Sequence, residues 1–482
     1  MTEEVELKLT VRPADVDAIF GLIGGEPAHI DQRATYYDTP DRVLASAGIA
    51  LRIRIAGGRA VQTIKSAGDG AVGLFARGEW ECAVALDATP RIDPATPAGA
   101  VLGDRTQDLA PVFTVAVDRR VWQHDHAGAS IEIALDRGAV IAGDRRSDLC
   151  EVELELRSGE PAALFALARR IDVVAPVRLG VLTKSERGYR LLDAARGAVK
   201  AEPLILPADV TAGDAFAAAA FSCIRHFRLN EALLETAPDE AALHQARVAL
   251  RRLRSALSIW RPLLADPLAP RLNAELRWLS GVLGDARNLD VLIGRLGTGA
   301  LRDKLIADRG SAYAAAAAAL ASSRSRAALL ALAEYVAVGA WRDDPLTADV
   351  RDQPAARFAA TTLAVLRRKV KRRGRDLVAA SDEERHDVRK DAKRLRYAAE
   401  FFGSVFTEGK QRRRHRRFVT ALGGLQDQLG ALNDLATAET MLLADPDVMT
   451  EIDNPDRKPR LIKRAAKAHA ALLDAKRFWQ PA

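Results

Sequence analysis

The chain has 482 residues, of which 48% are hydrophobic, 28% charged and 5% aromatic, with a formal net charge of +7. That length exceeds one ordinary core and points to about two to four domains of a folded, globular protein. No apolar run of about 18 residues occurs, which excludes a membrane-spanning helix; with the acidic opening MTEEVE in place of a basic leader, the expected location is the cytoplasm.

The first element is EVELKLTV, Glu4 to Val11. On an extended strand Glu4, Glu6 and Lys8 share one face, and Val5, Leu7 and Leu9 the other. A helical stretch near Ala14 to Ile23 follows. Period-two runs then recur: ALRIRIA (50–56), AVQTIKS (60–66), RGEWE (77–81), PVFTVAVDRRVW (111–122), SIEIALD (130–136) and CEVELEL (150–156). A second helical stretch runs from Pro161 to Ile171. Cys82, Cys150 and Cys223 are odd in number and far apart, which fits neither a disulfide framework nor a zinc site, and the HDH at His124 to His126 is expected to be a polar strand end.

The segment AEPLILPADVTAG (201–213) marks a change of period. Beyond it the chain is alanine- and arginine-rich with apolar residues at helical spacing, so the boundary is placed near residue 205: domains 1–205 and 206–482. The helical half contains a repeat. HQARVALRRLRSALSIW (244–260) aligns without gaps on HDVRKDAKRLRYAAEFF (386–402) at an offset of 142, and LGDARNLD (283–290) and LGALND (429–434) follow the two copies, dividing the half at about 206–345 and 346–482. The expected fold class is α+β: an N-terminal half of mostly antiparallel β with flanking helices, then an all-α domain of two duplicated bundles.

Charge follows this division. From Arg385 to Arg417, twelve Lys/Arg stand against four acids, so an anionic partner is expected for the C-terminal part. In the β half, Arg52 and Arg54 share one strand face, Glu151, Glu153 and Glu155 another, and Arg77, Glu79 and Glu81 a third. The residues alone leave two arrangements open: an open sheet with one solvated face, or a closed barrel with a charged lumen. A charged lumen is costly unless its groups pair, stay wet or hold an ionic ligand, and a divalent metal with a polyanion would meet that condition. Clustered Glu supplies hard oxygens suited to Mg²⁺ or Mn²⁺, and clustered Lys/Arg neutralises phosphate.

The ordered motifs EVELK, YYDT (36–39), LRIR (51–54), QTIK (62–65), RGEWE, IEIALDRG (131–138), EVELEL (151–156) and TKSERGY (183–189) resemble the CYTH group of triphosphate tunnel metalloenzymes over residues 1 to about 200. The resemblance implies a β tunnel that binds a triphosphate and a divalent metal. It implies Glu4, Glu6, Glu151 and Glu153 as metal-binding acids, Lys8, Arg52, Arg54, Lys65 and Lys184 as phosphate-binding bases, and Glu4, Glu6, Lys8 and Lys65 as the catalytic set. Arg119 is favoured as a further base, although a bulge would exchange it with Arg120. Glu79, Glu81, Asp136 and Glu155 are second-tier candidates. The chemistry implied is attack of water on a terminal phosphorus; no general base stands out, and a glutamate acting on a metal-bound water is the economical choice.

In the helical half His244, Arg247, Arg251 and Arg254 fall within about 80° of one another, beside an apolar face, and His386, Arg389, Lys393 and Arg396 repeat the stripe. These repeats resemble the CHAD domain over roughly 210–480, which implies binding of inorganic polyphosphate and an association with polyphosphate granules. Copy two departs in having Lys393 for an arginine and in lacking the ARN of the downstream cluster. The expected activity is metal-dependent hydrolysis of inorganic triphosphate; the alternatives are a non-catalytic polyphosphate-binding protein and an enzyme acting on thiamine triphosphate or ATP. Nucleic acid is disfavoured, because neither repeat offers a base-stacking platform.

Overall fold

The computed structural model describes residues 4–66, 74–193, 197–294, 299–442 and 457–480. It forms two compact units, Met1–Val199 with Leu320–Gly339, and Lys200–Ala319 with Ala340–Ala482. The first is antiparallel β with helices and the second is helical, an α+β protein.

The first unit is built on β1 (Glu4–Thr10), β2 (Ala28–Asp38), β3 (Ile49–Ala56), β4 (Arg59–Ser66), β5 (Leu74–Arg77), β6 (Glu79–Val84), β7 (Ala110–His126), β8 (Ala129–Ala142), β9 (Arg145–Ser158) and β10 (Arg178–Leu179). The order is β10-β1-β9-β8-β7-β2-β3-β4-β6. Only Gly78 separates β5 from β6, yet β6 pairs with β4 and β5 pairs with β1, from Glu4↔Arg77 to Leu7↔Leu74. The ring of strands therefore closes. A side chain at this corner would meet the Trp80 ring 2.9 Å away, which suits Gly78 to the turn. Two-residue turns with positive φ join β3 to β4 (Gly57, Gly58) and β7 to β8 (Ala127, Gly128), matching the twist of long antiparallel ribbons.

Closure decides which face each residue of β1 occupies. Leu7 and Leu9 are fully buried on the outer side, where α4 (Ala162–Val174) packs on the strand with α1 (Val16–Ile23) beside it. Lys8, between them, is only 4% exposed and faces the lumen. Further round, Leu51 and Ile64 are covered by Leu44 of α2 (Val43–Ser46) and by Ala98 and Leu102 of α3 (Pro97–Leu102). Each such aliphatic burial contributes about 1.5–3 kcal/mol. The helix α5 (Lys184–Leu192) packs on β7, β8 and β9, with Gly188 against Phe113 and the Tyr189 ring edge-on to it at 5.1 Å.

The helical chain comprises α6 (Ala212–Leu234), α7 (Glu240–Ile259), α8 (Leu268–Ile293), α9 (Ala300–Ala321), α10 (Ser323–Val338), α11 (Ala348–Arg351), α12 (Ala355–Arg373), α13 (Asp382–Phe401), α14 (Gly409–Leu442) and α15 (Arg457–Asp474). The repeat is structural as well as sequential. α7 and α13 begin and end at positions related by the same offset of 142, capped by Asp239 and Ser381. Equivalent aromatics also meet in the core, Trp260 with Phe402 at 4.8 Å. Although it follows α9 in the chain, α10 belongs to the first unit and packs on α4 and β10.

Among the described residues no helix is long and apolar enough to cross a membrane.

Candidate functional site

The lumen of the first unit is a cavity of about 800 Å³. Alternation along most of the strands fills it with charge, β2 instead giving the uncharged Ile30, Gln32, Ala34 and Tyr36, and register places the charges in rows. One row runs Thr10, Glu151, Asp136, Arg119 across β1, β9, β8 and β7; the next sets Lys8 beside Glu153, and the third sets Glu6 beside Glu155 and Glu132.

At the centre, Lys184 Nζ lies 2.7 Å from Asp136, 2.6 Å from Glu151 and 2.7 Å from Glu153. Lys8 Nζ donates to Glu151 at 3.2 Å, pairs with Glu153, and lies 3.4 Å from Glu6. Arg119 grips both oxygens of Asp136 at 2.7 Å and reaches Glu153 at 2.6 Å. Arg120 instead pairs with Asp118 at 2.9 Å, because β7 alternates without a bulge at this point. Lys184 is placed by the start of α5, where Thr183 caps the helix and the Glu186 carboxylate accepts from the Thr183 N–H.

These groups set one another's protonation. Burial works against ionisation of Glu153, but Lys184, Lys8 and Arg119 outweigh it and hold the carboxyl well below the usual range; Glu151 and Asp136 are lowered for similar reasons. In the same way burial opposes the charge on Lys184, and Asp136, Glu151 and Glu153 overcome it and raise its pKa well above the ordinary lysine value.

On β3 the balance differs. Arg52 is held by Tyr36 and keeps a buried Nε without a hydrogen-bond partner among the described residues. Burial, then Arg52, and further Arg119, push the Arg54 pKa down, although Glu81 lies 3.4 Å away. Lys65 on β4 sits 3.3 Å from Glu79, and Thr63 donates to Glu81 at 2.9 Å. The structure thus brings together Glu6, Lys8, Arg52, Arg54, Lys65, Arg119, Glu153 and Lys184 around one cavity, with Glu151 and Asp136 buried beside Lys184. The side chain of Glu4, expected to bind metal and take part in catalysis, lies outside the described residues, as does that of Arg77.

Two lumen cations, Arg59 and Arg157, and a third cation beside the acid cluster, Arg187, escaped the sequence reasoning. Arg59 shares the inward face of β4 with Val61 and Lys65, a position legible from alternation across the GG turn. Arg157, beyond the last quoted glutamate, binds Glu132 at 2.8 Å, and Arg187, one turn after Lys184, lies 3.9 Å from Glu151.

Oxygens of Asp136, Glu151 and Glu153 lie within 4.8 Å of one another. Glu151 is completely buried, and its Oε2 has no hydrogen-bond partner among the described residues. An all-oxygen donor set with an orphaned carboxylate oxygen fits a hard divalent cation.

In the helical unit, the central members of both stripes converge. Each of Arg247, Arg389 and Lys393 feels cations of the opposite stripe, and Arg251 donates to the Tyr397 hydroxyl at 2.8 Å. Burial, then Arg251 and Arg389, push Lys393 down to about 6, and burial with Arg251 and Arg287 lowers Arg247 to about 10. His244 joins this group and is lowered by burial and by Arg287, Arg251 and Arg247. The outer members turn to polar partners: Arg254 to Asn273 at 3.2 Å, Arg396 to Glu400 at 2.8 Å and His386 to Asn433.

Comparison with known proteins places these features. An inorganic triphosphatase of Haemophilus influenzae is 30% identical over 204 residues, 40% of this chain and 55% of that protein, so the chain spans about half the length of the curated relative it matches. The crystal structure of a CHAD domain from the plant Ricinus communis is similar at 29% identity, covering 58% of this chain and 94% of that one with a TM-score of 0.46. A solved inorganic triphosphatase is 21% identical, covering 34% and 79%, with a TM-score of 0.17. Residues 2–189 match the CYTH domain and residues 218–443 the CHAD domain; the chain carries a CYTH domain followed by a CHAD domain.

Proposed function

We propose that the tunnel hydrolyses inorganic triphosphate with Mg²⁺ or Mn²⁺, and that the helical unit binds polyphosphate. The observation that carries this is the mixed charge of one closed lumen. Its lining holds the cations Lys8, Arg52, Arg54, Arg59, Lys65, Arg119, Arg157 and Lys184 together with the acids Glu6, Glu79, Glu81, Glu132, Glu153 and Glu155. A bare cation would satisfy only the acids and a bare anion only the bases, whereas a cation-bound phosphate chain satisfies both.

In this reading Glu6, Glu151 and Glu153, with Asp136, hold the cation. The lowered pKa values of Asp136, Glu151 and Glu153 keep them ionised, which suits ligands better than proton carriers. A bound divalent cation supplies positive charge that polarises the phosphoryl oxygens. Arg52, Arg54 and Lys65 neutralise the phosphate chain, and Arg54, crowded by like charges, gains most from an anion beside it. Lys8, Lys184 and Arg119 orient the reacting phosphoryl group. Water adds to the terminal phosphorus, the bridging P–O bond breaks towards diphosphate, and the proton of the water leaves with the phosphate products.

In the helical unit, Arg247, Arg251, Arg389 and Lys393 crowd together at a cost that a polyanion relieves, and His244, Arg254, His386 and Arg396 flank them. Phosphate release should be measured over tripolyphosphate, long polyphosphate, ATP and thiamine triphosphate with each metal. Release from tripolyphosphate alone is expected. Binding of tripolyphosphate without release would make the chain a holding protein, and release from ATP or thiamine triphosphate in preference would reassign the substrate.

A further inference from the structure

The tunnel unit includes a helix that the CYTH match, ending at residue 189, does not cover. α10 packs on α4 and β10, and Leu329, Leu332 and Val336 are among its buried residues. Arg326 of α10 is the polar centre of this contact. Its Nε donates to Asp172 Oδ1 at 2.6 Å, and its Nη1 to the Ala321 carbonyl at 2.6 Å. Arg326 and Asp172 side chains are 10% and 15% exposed, so the pair is shielded from water and its geometry is defined.

Asp172 does not stop at Arg326. The same Oδ1 accepts the Val177 N–H at 2.9 Å, which fixes the turn from α4 into β10. Leu179 of β10 pairs with Leu9 on β1, and the Gly180 N–H donates to the Lys8 carbonyl at 2.8 Å. The fit there is tight: a Cβ at Gly180 would lie 2.5 Å from Lys8 Cγ. Three residues later Thr183 caps α5 and presents Lys184 to Asp136, Glu151 and Glu153. One short segment, anchored at Val177, therefore sets both lysines of the acid cluster.

We propose that Arg326 is a positioning residue for the tunnel, acting through Asp172 and the 177–183 segment on Lys8 and Lys184, so that α10 completes a site it does not touch. The proposal rests on the reading of the tunnel as a tripolyphosphate site.

The test uses the full chain. Arg326→Ala is expected to raise KM for tripolyphosphate about fivefold or more and to weaken tripolyphosphate binding by calorimetry in proportion, because a displaced Lys184 binds phosphate less well. Arg326→Lys, which keeps a cation beside Asp172, should recover most of both. Loss of folded protein alone would reduce kcat and leave KM unchanged, and that outcome overturns the proposal. So does a KM within twofold of the parent. In a Lys184→Ala background, Arg326→Ala should add less than it does in the parent, since its effect through Lys184 is already gone and only that through Lys8 remains; full additivity also counts against it. If Arg326→Ala fails to fold, Arg326→Gln, which keeps a long polar side chain without the charge that pairs with Asp172, takes its place: KM and affinity within twofold of the parent reject a positioning role, and a rise in KM with weaker binding supports it. If the parent releases no phosphate at all, the hydrolase reading fails by itself, and the calorimetric affinities still decide for or against Arg326.

Discussion

Lys184 and Glu153 meet at 2.7 Å, although one opens a helix and the other lies in the middle of a strand, and Lys8 reaches the same Glu153 oxygen. Two ammonium groups on one carboxylate oxygen make Glu153 the charge on which the acid cluster depends.

Glu153→Gln should therefore be the most damaging single change in the tunnel. It leaves Lys8, Lys184 and Arg119 partly uncompensated, and removing one partner of a buried pair costs about 3–5 kcal/mol. Thermal denaturation should show a lower midpoint, and metal-dependent phosphate release should fall at least about a hundredfold, the scale of a lost electrostatic contact at a reacting centre. A variant with parental stability and turnover would remove Glu153 from the site.

The adjacent arginines of β7 separate positioning from packing. Arg119→Ala removes a lumen cation that bridges Asp136 and Glu153, and should reduce kcat/KM for tripolyphosphate about a hundredfold. Arg120→Ala breaks only a partly exposed pair with Asp118, and should stay within about twofold. Steady-state kinetics on both variants checks this.

Acid should act on the tunnel through its carboxylates. The folded pKa values of Asp136, Glu151 and Glu153 lie below their unfolded values, so the stability they contribute is present above about pH 4 and is lost as pH falls through the folded values. Lys184 has the opposite sign: its raised pKa contributes stability below the ordinary lysine value of about 10.4, which is lost at higher pH. Denaturation midpoints measured by circular dichroism should fall at both extremes, and the acid limb should shrink in Asp136→Asn.

Lys393 should make polyanion binding take up a proton. Near neutral pH it is largely neutral, because burial and then Arg251 and Arg389 push it down to about 6, and a polyphosphate chain beside it would favour the charged form. Calorimetry at pH 7.5 in buffers of different ionisation enthalpy should show uptake of up to about one proton, absent in Lys393→Met. The sign for stability follows from the same depression. Between about pH 6 and 10 the unfolded chain binds the extra proton, so Lys393 destabilises the fold, fully at pH 6 and below. Lys393→Met should raise the melting temperature by on the order of 5 °C at pH 6, and by nothing near pH 10.5.

Alanine at Arg247 or Arg389 should weaken polyphosphate binding and reduce its salt dependence, because each removes a cation from the converged group. Fluorescence titrations at several salt concentrations would show parallel slopes if these arginines face no ligand.

Much of this protein was legible in one dimension. The period of two assigns Glu6 and Lys8 to one face and Leu7 and Leu9 to the other, since side-chain direction on a strand depends only on parity. The offset of 142 likewise finds α7 and α13, since helix formation and capping are local. What local pattern cannot contain is which strands pair and whether the sheet closes. The choice between a solvated face and a lumen rested on β5 returning to β1, a contact between segments about 70 residues apart. Register did the rest. It set Asp136 beside Glu151 and turned Arg119 rather than Arg120 inward, while the packing of α7 on α13 gathered Arg247, Arg251, Arg389 and Lys393 from two separate helices. The assignment of α10 to the tunnel unit depends on long-range packing of a helix whose own sequence is unremarkably apolar. Chain direction and side-chain parity are properties of neighbours along the backbone, whereas a site made of opposite charges exists only where distant segments are held together against the cost of burying them.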